Sequence, residues 1–166
     1  MVDKERLAFD PIERAGLLWE KHVGDSSSMR VATSIMRVQQ LLIGEFDRVL
    51  RPFGITFARY EVLRLLSFSR EGRLALSVIG ERLMVHPTSV TNAIDRLVAA
   101  GLVARTPDHL DRRRVYASLT SDGKRVLKRS TRALTAIDFG LDSLSASERK
   151  DVYEILRTVR SSDFTG

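Results

Sequence analysis

The chain has 166 residues, 43% of them apolar and 29% charged, with only ten Gly and four Pro. That fits one compact domain, or one with helical extensions, and excludes a disordered or fibrous chain. Cysteine is absent, which excludes disulfides, thiolate nucleophiles, sulfur-ligated metals and direct thiol sensing, and fits a reducing cytoplasm. No apolar run approaches the roughly 20 residues of a membrane helix, and the charged residues 1–10 do not read as a signal peptide. The expected location is cytoplasmic, with no membrane partner.

The formal net charge is +6, and it is unevenly spread. Between Arg105 and Arg129 eight basic residues stand against Asp108, Asp111 and Asp122, while elsewhere 19 basic residues nearly balance 18 acidic ones. An excess this concentrated points to an anionic partner.

In chain order, Asp10-Pro11-Ile12-Glu13 predicts a helix start: Asp caps orphan amides, Pro suits the first helical position and Glu completes a capping box. Ile12, Ala15, Trp19 and Val23 then recur at helical spacing. A second helix is predicted over 29–50, with Val31, Ile35, Val38, Leu42, Phe46 and Val49 as its stripe and Pro52 and Gly54 as its stop. Thr56 caps a third, carrying Tyr60, Leu63 and Leu66 and ending near residues 69–72.

Residues 76–105 read as two short helices joined by a tight turn. Ser77 caps the first, with Ile79 and Leu83 inward; Val85-His86 turns the chain; Pro87 opens the second. Val90, Ile94, Leu97 and Val98 form the second helix's inward stripe, and Gly101 ends it. The opposite face carries Thr88, Asn92, Asp95 and Ala99, flanked by Ser89 and Arg96, and is small and polar. The period then changes to two. Residues 102–106 and 113–119 predict a β-hairpin, with Val115, Ala117 and Leu119 on one side and Arg114, Tyr116 and Ser118 on the other. Thr120 or Ser121 caps a long helix to about residue 139. The capping box Ser145-Ala-Ser-Glu148 opens a last one, with Val152, Ile155, Leu156 and Val159 on one face.

A helix-turn-helix followed by a basic hairpin has the parts for groove binding: a polar helix face that enters the major groove and a wing that touches phosphates or reaches a minor groove. Asn92 can pair with adenine and Arg96 with guanine, and Thr88 and Ser89 can bond a base edge or phosphate. Competing readings stand beside these. Arg112, Arg113 and Arg114 can be a solvated turn paired with Asp108 and Asp111, Arg96 can be ion-paired, His86 can be a cap or a phosphate contact, and His109 can be solvated. For catalysis, Ser121-Asp-Gly-Lys124 and Ser147-Glu-Arg-Lys150 match Ser-x-x-Lys but sit at predicted helix starts, where Ser caps. His22, His86 and His109 lack ligand spacing. The expectation is therefore no enzyme, no catalytic residue, no metal and no cofactor. A sequence-tolerant architectural DNA binder and a winged-helix protein-interaction module are the alternative functions.

Several motifs, Leu76-Ser77, Ser89-Val90-Thr91, Gly101-Leu-Val-Ala-Arg105, and Asp111-Arg-Arg113 with Leu119-Thr120-Ser-Asp-Gly123, make residues 29–127 resemble the multiple-antibiotic-resistance-regulator (MarR) family of winged helix-turn-helix transcription factors. The resemblance implies a mainly α fold with a small β-hairpin. Residues 1–55 and 129–166 would be dimerisation helices, and residues 56–128 the DNA-binding lobe. It implies a homodimeric regulator on double-stranded DNA, with an inverted-repeat operator and release by a small molecule. The DNA-binding set is Ser77, His86, Pro87, Thr88, Ser89, Thr91, Asn92, Arg96, Arg105, Asp111, Arg112, Arg113 and Arg114, with Asp111 orienting an arginine. Ala117 departs from the larger aliphatic residue common in the family. The dimer set is Ile12, Leu18, Val152, Ile155, Leu156 and Val159. An N-terminal helix bearing Trp19 looks like the urate-responsive subgroup, which would place Trp19, Tyr60, Glu61 and Arg96 at an effector site for urate or a phenolic acid. Trp19 also reads as an apolar anchor, and Tyr60 as core.

Overall fold

A computed structural model of the protein describes residues 8–108, 111 and 114–161. The chain forms two compact units, Met1–Gly44 and Glu45–Gly166.

In the first unit, α1 (Pro11–His22) starts on Asp10, whose carboxylate accepts from the Ile12 and Glu13 amides. The predicted capping box is only half formed. The Glu13 carboxylate lies 2.6 Å from Arg30 Nη1 rather than on the cap amide, because a guanidinium is the stronger partner. Arg30 belongs to α2 (Ser27–Leu50). Its Nε donates to the buried Ser26 Oγ at 2.8 Å, and Ser26 donates to Glu20 at 2.6 Å. Gly16 is the buried residue of α1, and a Cβ there would meet this guanidinium.

The apolar stripes of these helices are largely uncovered. Leu18, Trp19, Val31 and Val38 are exposed and Ile12 is half-buried; of the predicted α2 stripe only Phe46 is buried, and with it Leu50, both in the second unit.

In the second unit, a 3-10 turn (Arg51–Phe53) leads to α3 (Phe57–Ser67). Thr56 occupies the cap position but makes no side-chain cap bond; Asp47 accepts from the Phe57 amide instead, at 2.6 Å. A carboxylate from the preceding helix is the better acceptor for an N-terminal amide. Next come β1 (Arg73–Ala75), α4 (Leu76–Leu83), α5 (Pro87–Ala99), β2 (Val103–Pro107) and β3 (Val115–Leu119). The hairpin is thus part of a three-stranded antiparallel sheet in the order β1-β3-β2. Ser77 does not cap α4. Ala75 holds that position without a side-chain bond, because β1 runs directly into the helix.

The helix α6 (Ser121–Ala136) starts on Thr120, which accepts from the Gly123 amide. It ends three residues short of the predicted stop. Asp138, Phe139 and Gly140 all take left-handed backbone conformations, and Phe139 packs edge-on to Phe46 at 5.9 Å. α7 (Ala146–Arg160) carries the full capping box, with Ser145 N to Glu148 at 2.8 Å and Glu148 N to Ser145 Oγ at 3.3 Å. The core is built on Leu50, Leu63, Leu66, Ile79, Ile94, Leu97 and Leu134, all fully buried. α7 contributes no buried residue. Among the described residues no helix is long and apolar enough to cross a membrane.

Candidate nucleic-acid interface

α4 and α5 meet through a turn that needs close approach. Met84 sits at φ 55°, with Met84 N donating to Glu81 O at 3.2 Å and Val85 N to Gly80 O at 3.1 Å, the paired bonds of a helix C-terminal turn. A Cβ on Gly80 would stand 3.3 Å from Val85 O and 3.4 Å from Val90 Cγ2, so Gly80 lets the turn and α5 close on α4. Sequence periodicity did not single it out. His86 caps α5, its Nδ1 accepting from the Thr88 amide at 3.2 Å, with Pro87 first in the helix.

Val90, Ile94 and Leu97 hold α5 against the core, while Thr88, Ser89, Thr91, Asn92, Asp95 and Arg96 form its exposed side. Val98 is also exposed, unlike the predicted stripe, because the helix buries a narrower arc than its apolar residues cover. Gly101, at φ 70°, ends the helix as expected, with Leu102 N bonded to Leu97 O at 2.9 Å.

Arg105 reaches toward α5. In β2 it pairs with Ala117 of β3, on the face toward α5. Its Nη1 lies 2.6 Å from Asp95 Oδ1, and Nη2 reaches Thr91 O at 3.4 Å. The acid on the exposed face of α5 is thereby neutralised by the wing, and the two elements are braced together. At the wing turn, Asp108 N donates to Arg114 O and Arg114 N to Asp111 O, both at 2.9 Å, and Asp111 N donates to the Asp108 carboxylate. His109, Arg112 and Arg113 lie outside the described residues, and so does the expected orientation of an arginine by Asp111. Ala117 is buried at the centre of the sheet. Ser77 is exposed near the start of α4.

The predicted effector residues fall in different surroundings. Tyr60 is buried, its hydroxyl 3.2 Å from Thr131 Oγ1 and its ring stacked on Phe57. Glu61 reaches solvent, and desolvation by its neighbours raises its carboxyl above the ordinary value. Trp19 belongs to the other unit and is 41% exposed.

Arg64, one turn after Tyr60, was not anticipated. Its guanidinium bonds to Thr131 and lies over the Tyr60 and Phe68 rings, at the wall of a cavity of about 620 Å³ whose other cations are Lys124, Lys128 and Arg132. The i, i+4, i+8 spacing of those three on one helix face is a signal that could have found it. None of Trp19, Tyr60, Glu61 and Arg96 lines this cavity. Among the described residues no group of His, Asp and Glu could hold a metal ion.

Three helices ending in a capped reading helix, followed by strands that brace it, define a winged helix-turn-helix lobe. A family model described as "MarR family" matches residues 53–114. The solved structure of Sco5413, a MarR family transcriptional regulator from Streptomyces coelicolor, is 51% identical, covering 84% of this chain and 98% of that one with a TM-score of 0.77. This chain belongs to the MarR family of transcriptional regulators. The HTH-type transcriptional repressor MdtR of Bacillus subtilis is 36% identical over 93 residues, 56% of this chain and 59% of that protein. A third relative is Bordetella bronchiseptica BpsR, whose structure describes regulation of its DNA binding by 6-hydroxynicotinic acid. It is 25% identical, covers 78% of this chain and 98% of that one, and has a TM-score of 0.71.

Proposed function

We propose that the protein is a ligand-responsive transcriptional repressor that binds an inverted-repeat operator as a homodimer. The observation that carries the DNA reading is the outward face of α5, where Thr88, Ser89 and Asn92 stand exposed around a helix N-terminus capped by His86, next to the most basic stretch of the chain. Asn92 and Arg96 read base edges; Thr88, Ser89 and the wing arginines 112–114 hold phosphates. Ser77, His86, Pro87 and Thr91 border the contact, while Arg105 and Asp111 hold the wing in place. Residues 1–55 and 129–166 supply the dimer contacts, through Ile12, Leu18, Val152, Ile155, Leu156 and Val159, so that two reading helices lie about one DNA turn apart. MdtR's description as a repressor supports the sign of the response.

The test is quantitative DNA binding. Affinity for the inverted repeat beside the gene should fall by about 10³-fold or more between 50 and 200 mM salt, as expected for about six phosphate contacts. Asn92→Ala should cost roughly tenfold on the operator and little on random duplex, whereas alanine at Arg112, Arg113 and Arg114 together should weaken both alike. Equal losses on both duplexes for both variants would overturn this division of labour, and an architectural binder would show no operator preference at all.

The effector reading is supported by the chemistry of the cavity at Arg64. Its four cations surround apolar Leu66, Leu119 and Leu127, a setting suited to a flat, anionic aromatic molecule such as urate or a phenolic acid. BpsR's response to 6-hydroxynicotinic acid is of the same chemical kind. Such a ligand releases DNA only if it prefers the non-binding arrangement. A thermal-shift series of purines and aromatic acids should find compounds that raise Tm and weaken operator binding; Arg64→Gln should lose both responses together. Compounds that raise Tm equally in Arg64→Gln would place the effector elsewhere.

A further inference from the structure

The register of the wing sheet separates two faces. Arg105, Ala117 and Leu74 share the side that looks toward α5, where Arg105 meets Asp95. Thr106 and Tyr116 share the other side, with Arg73 two residues along β1 from the partner of Tyr116. On that outer side lies a second cavity, of about 530 Å³, walled by Arg70, Arg73, Arg82 and Arg114 around Tyr116, with Glu71 its one carboxylate.

The four guanidiniums come from four different places: the end of the loop after α3, the start of β1, the last turn of α4 and the entry to β3. Among the described residues none of them is in an ion pair. The Cζ of Arg73 lies over the Tyr116 ring, 4.3 Å from its centroid, and that of Arg114 lies 5.8 Å from the same centroid. A cation–π contact holds a guanidinium near the ring without using up its N–H donors, so those of Arg73 can still grip an oxyanion. Gathering four cations around one recess is unfavourable without a counter-charge, and Glu71 balances only one of them.

The position indicates which anion. A wing in a groove has a phosphate strand on each side; its inner face looks toward the reading helix and its outer face along the duplex away from it. We propose that this arginine recess binds backbone phosphate of the DNA that flanks the segment read by α5, extending each lobe's footprint outward. The inference rests on the DNA-binding reading above. It adds a second electrostatic contact that carries no base information, so it strengthens every flanked site by a similar factor.

The experiment compares two duplexes, one ending at the outer edges of the inverted repeat and one extended by about a helical turn at each end, against wild type and the double variant Arg73→Gln, Arg82→Gln. Both side chains are exposed, and matched melting temperatures establish that the variant is folded. The variant is expected to bind the extended duplex roughly tenfold more weakly and to change less than about twofold on the short one. Its salt slope on the extended duplex should be shallower by about one for each phosphate it no longer neutralises. Inorganic phosphate on the wild type separates the sources. If phosphate raises Tm in a way the variant lacks while the two duplexes stay indistinguishable, the recess takes a free anion and the DNA assignment is overturned. It is equally overturned if the variant matches wild type on both duplexes or loses equally on both. A wild type that binds neither duplex overturns the DNA-binding reading and this inference with it.

Discussion

Gly123→Ala is expected to cost about 3 kcal/mol of stability, at the upper end of what one added methyl group does in a packed interior. Gly123 is buried in the first turn of α6, and a Cβ there would overlap the carbonyl oxygen of Leu102 and come within 3.0 Å of its carbonyl carbon. The obstruction is backbone, so no rotamer change relieves it. The same spot is knotted by hydrogen bonds: Thr120 N donates to Leu102 O at 3.1 Å, Thr120 Oγ1 donates to Gly101 O at 2.7 Å, and Gly123 N donates to Thr120 Oγ1 at 3.0 Å. Pushing α6 away breaks the junction between the exit of α5 and the return of the wing. Urea unfolding should show a lower midpoint with an unchanged m-value, and operator binding should weaken in parallel. A stability within about 0.5 kcal/mol of wild type would mean that the junction is softer than its hydrogen bonds imply.

The second large effect is on assembly. α7 has no buried residue, and Val152, Ile155 and Val159 are 42%, 64% and 60% exposed on one side of it. Leu17, Leu18, Val31, Ile35 and Val38 are exposed on α1 and α2. Apolar surface on this scale is normally covered by a partner. Val152→Asp with Ile155→Asp should therefore convert the proposed homodimer to a monomer. Because two half-sites joined in one particle bind with an effective concentration that a lone lobe lacks, operator affinity should drop by about 100-fold or more. Light scattering and operator titration check the two parts. A double variant that still scatters as a dimer, or a monomer that keeps full affinity, would refute the proposed role of α7.

How legible the molecule was depended on the range of the interactions involved. The reading helix and its neighbours could be read because their signals are local and agree: Pro87 after a capping residue, Val90, Ile94 and Leu97 at helical spacing, Gly101 at the stop, then a change to period two. The capping box at Ser145 could be read for the same reason. What escaped depends on distant partners. β1 is three residues long and exists because Leu74 and its neighbours pair with β3, which no pattern in Arg-Leu-Ala announces. Asp47 caps α3 across ten residues, and Glu13 left its local partner for Arg30. Phe139 stands at the predicted end of α6, yet it packs on Phe46 with a left-handed backbone outside that helix. Arg64 gives no local signal because Tyr60, Leu63 and Leu66 on the same helix read as core. The apolar stripes of α1 and α7 were correctly periodic, but periodicity does not say whether the surface that covers them belongs to the same chain.

The bend between α6 and α7 rests on backbone torsions at Asp138, Phe139 and Gly140, steadied by the 2.6 Å ion pair of Arg149 with Asp138. Fifteen residues of helix beyond it make an arm about 22 Å long. A change of only about 10° at this elbow would sweep the far tip of α7 through about 4 Å. Leverage of that kind would convert a small rotation at the elbow into a displacement wide enough to re-seat a whole side chain at the far end.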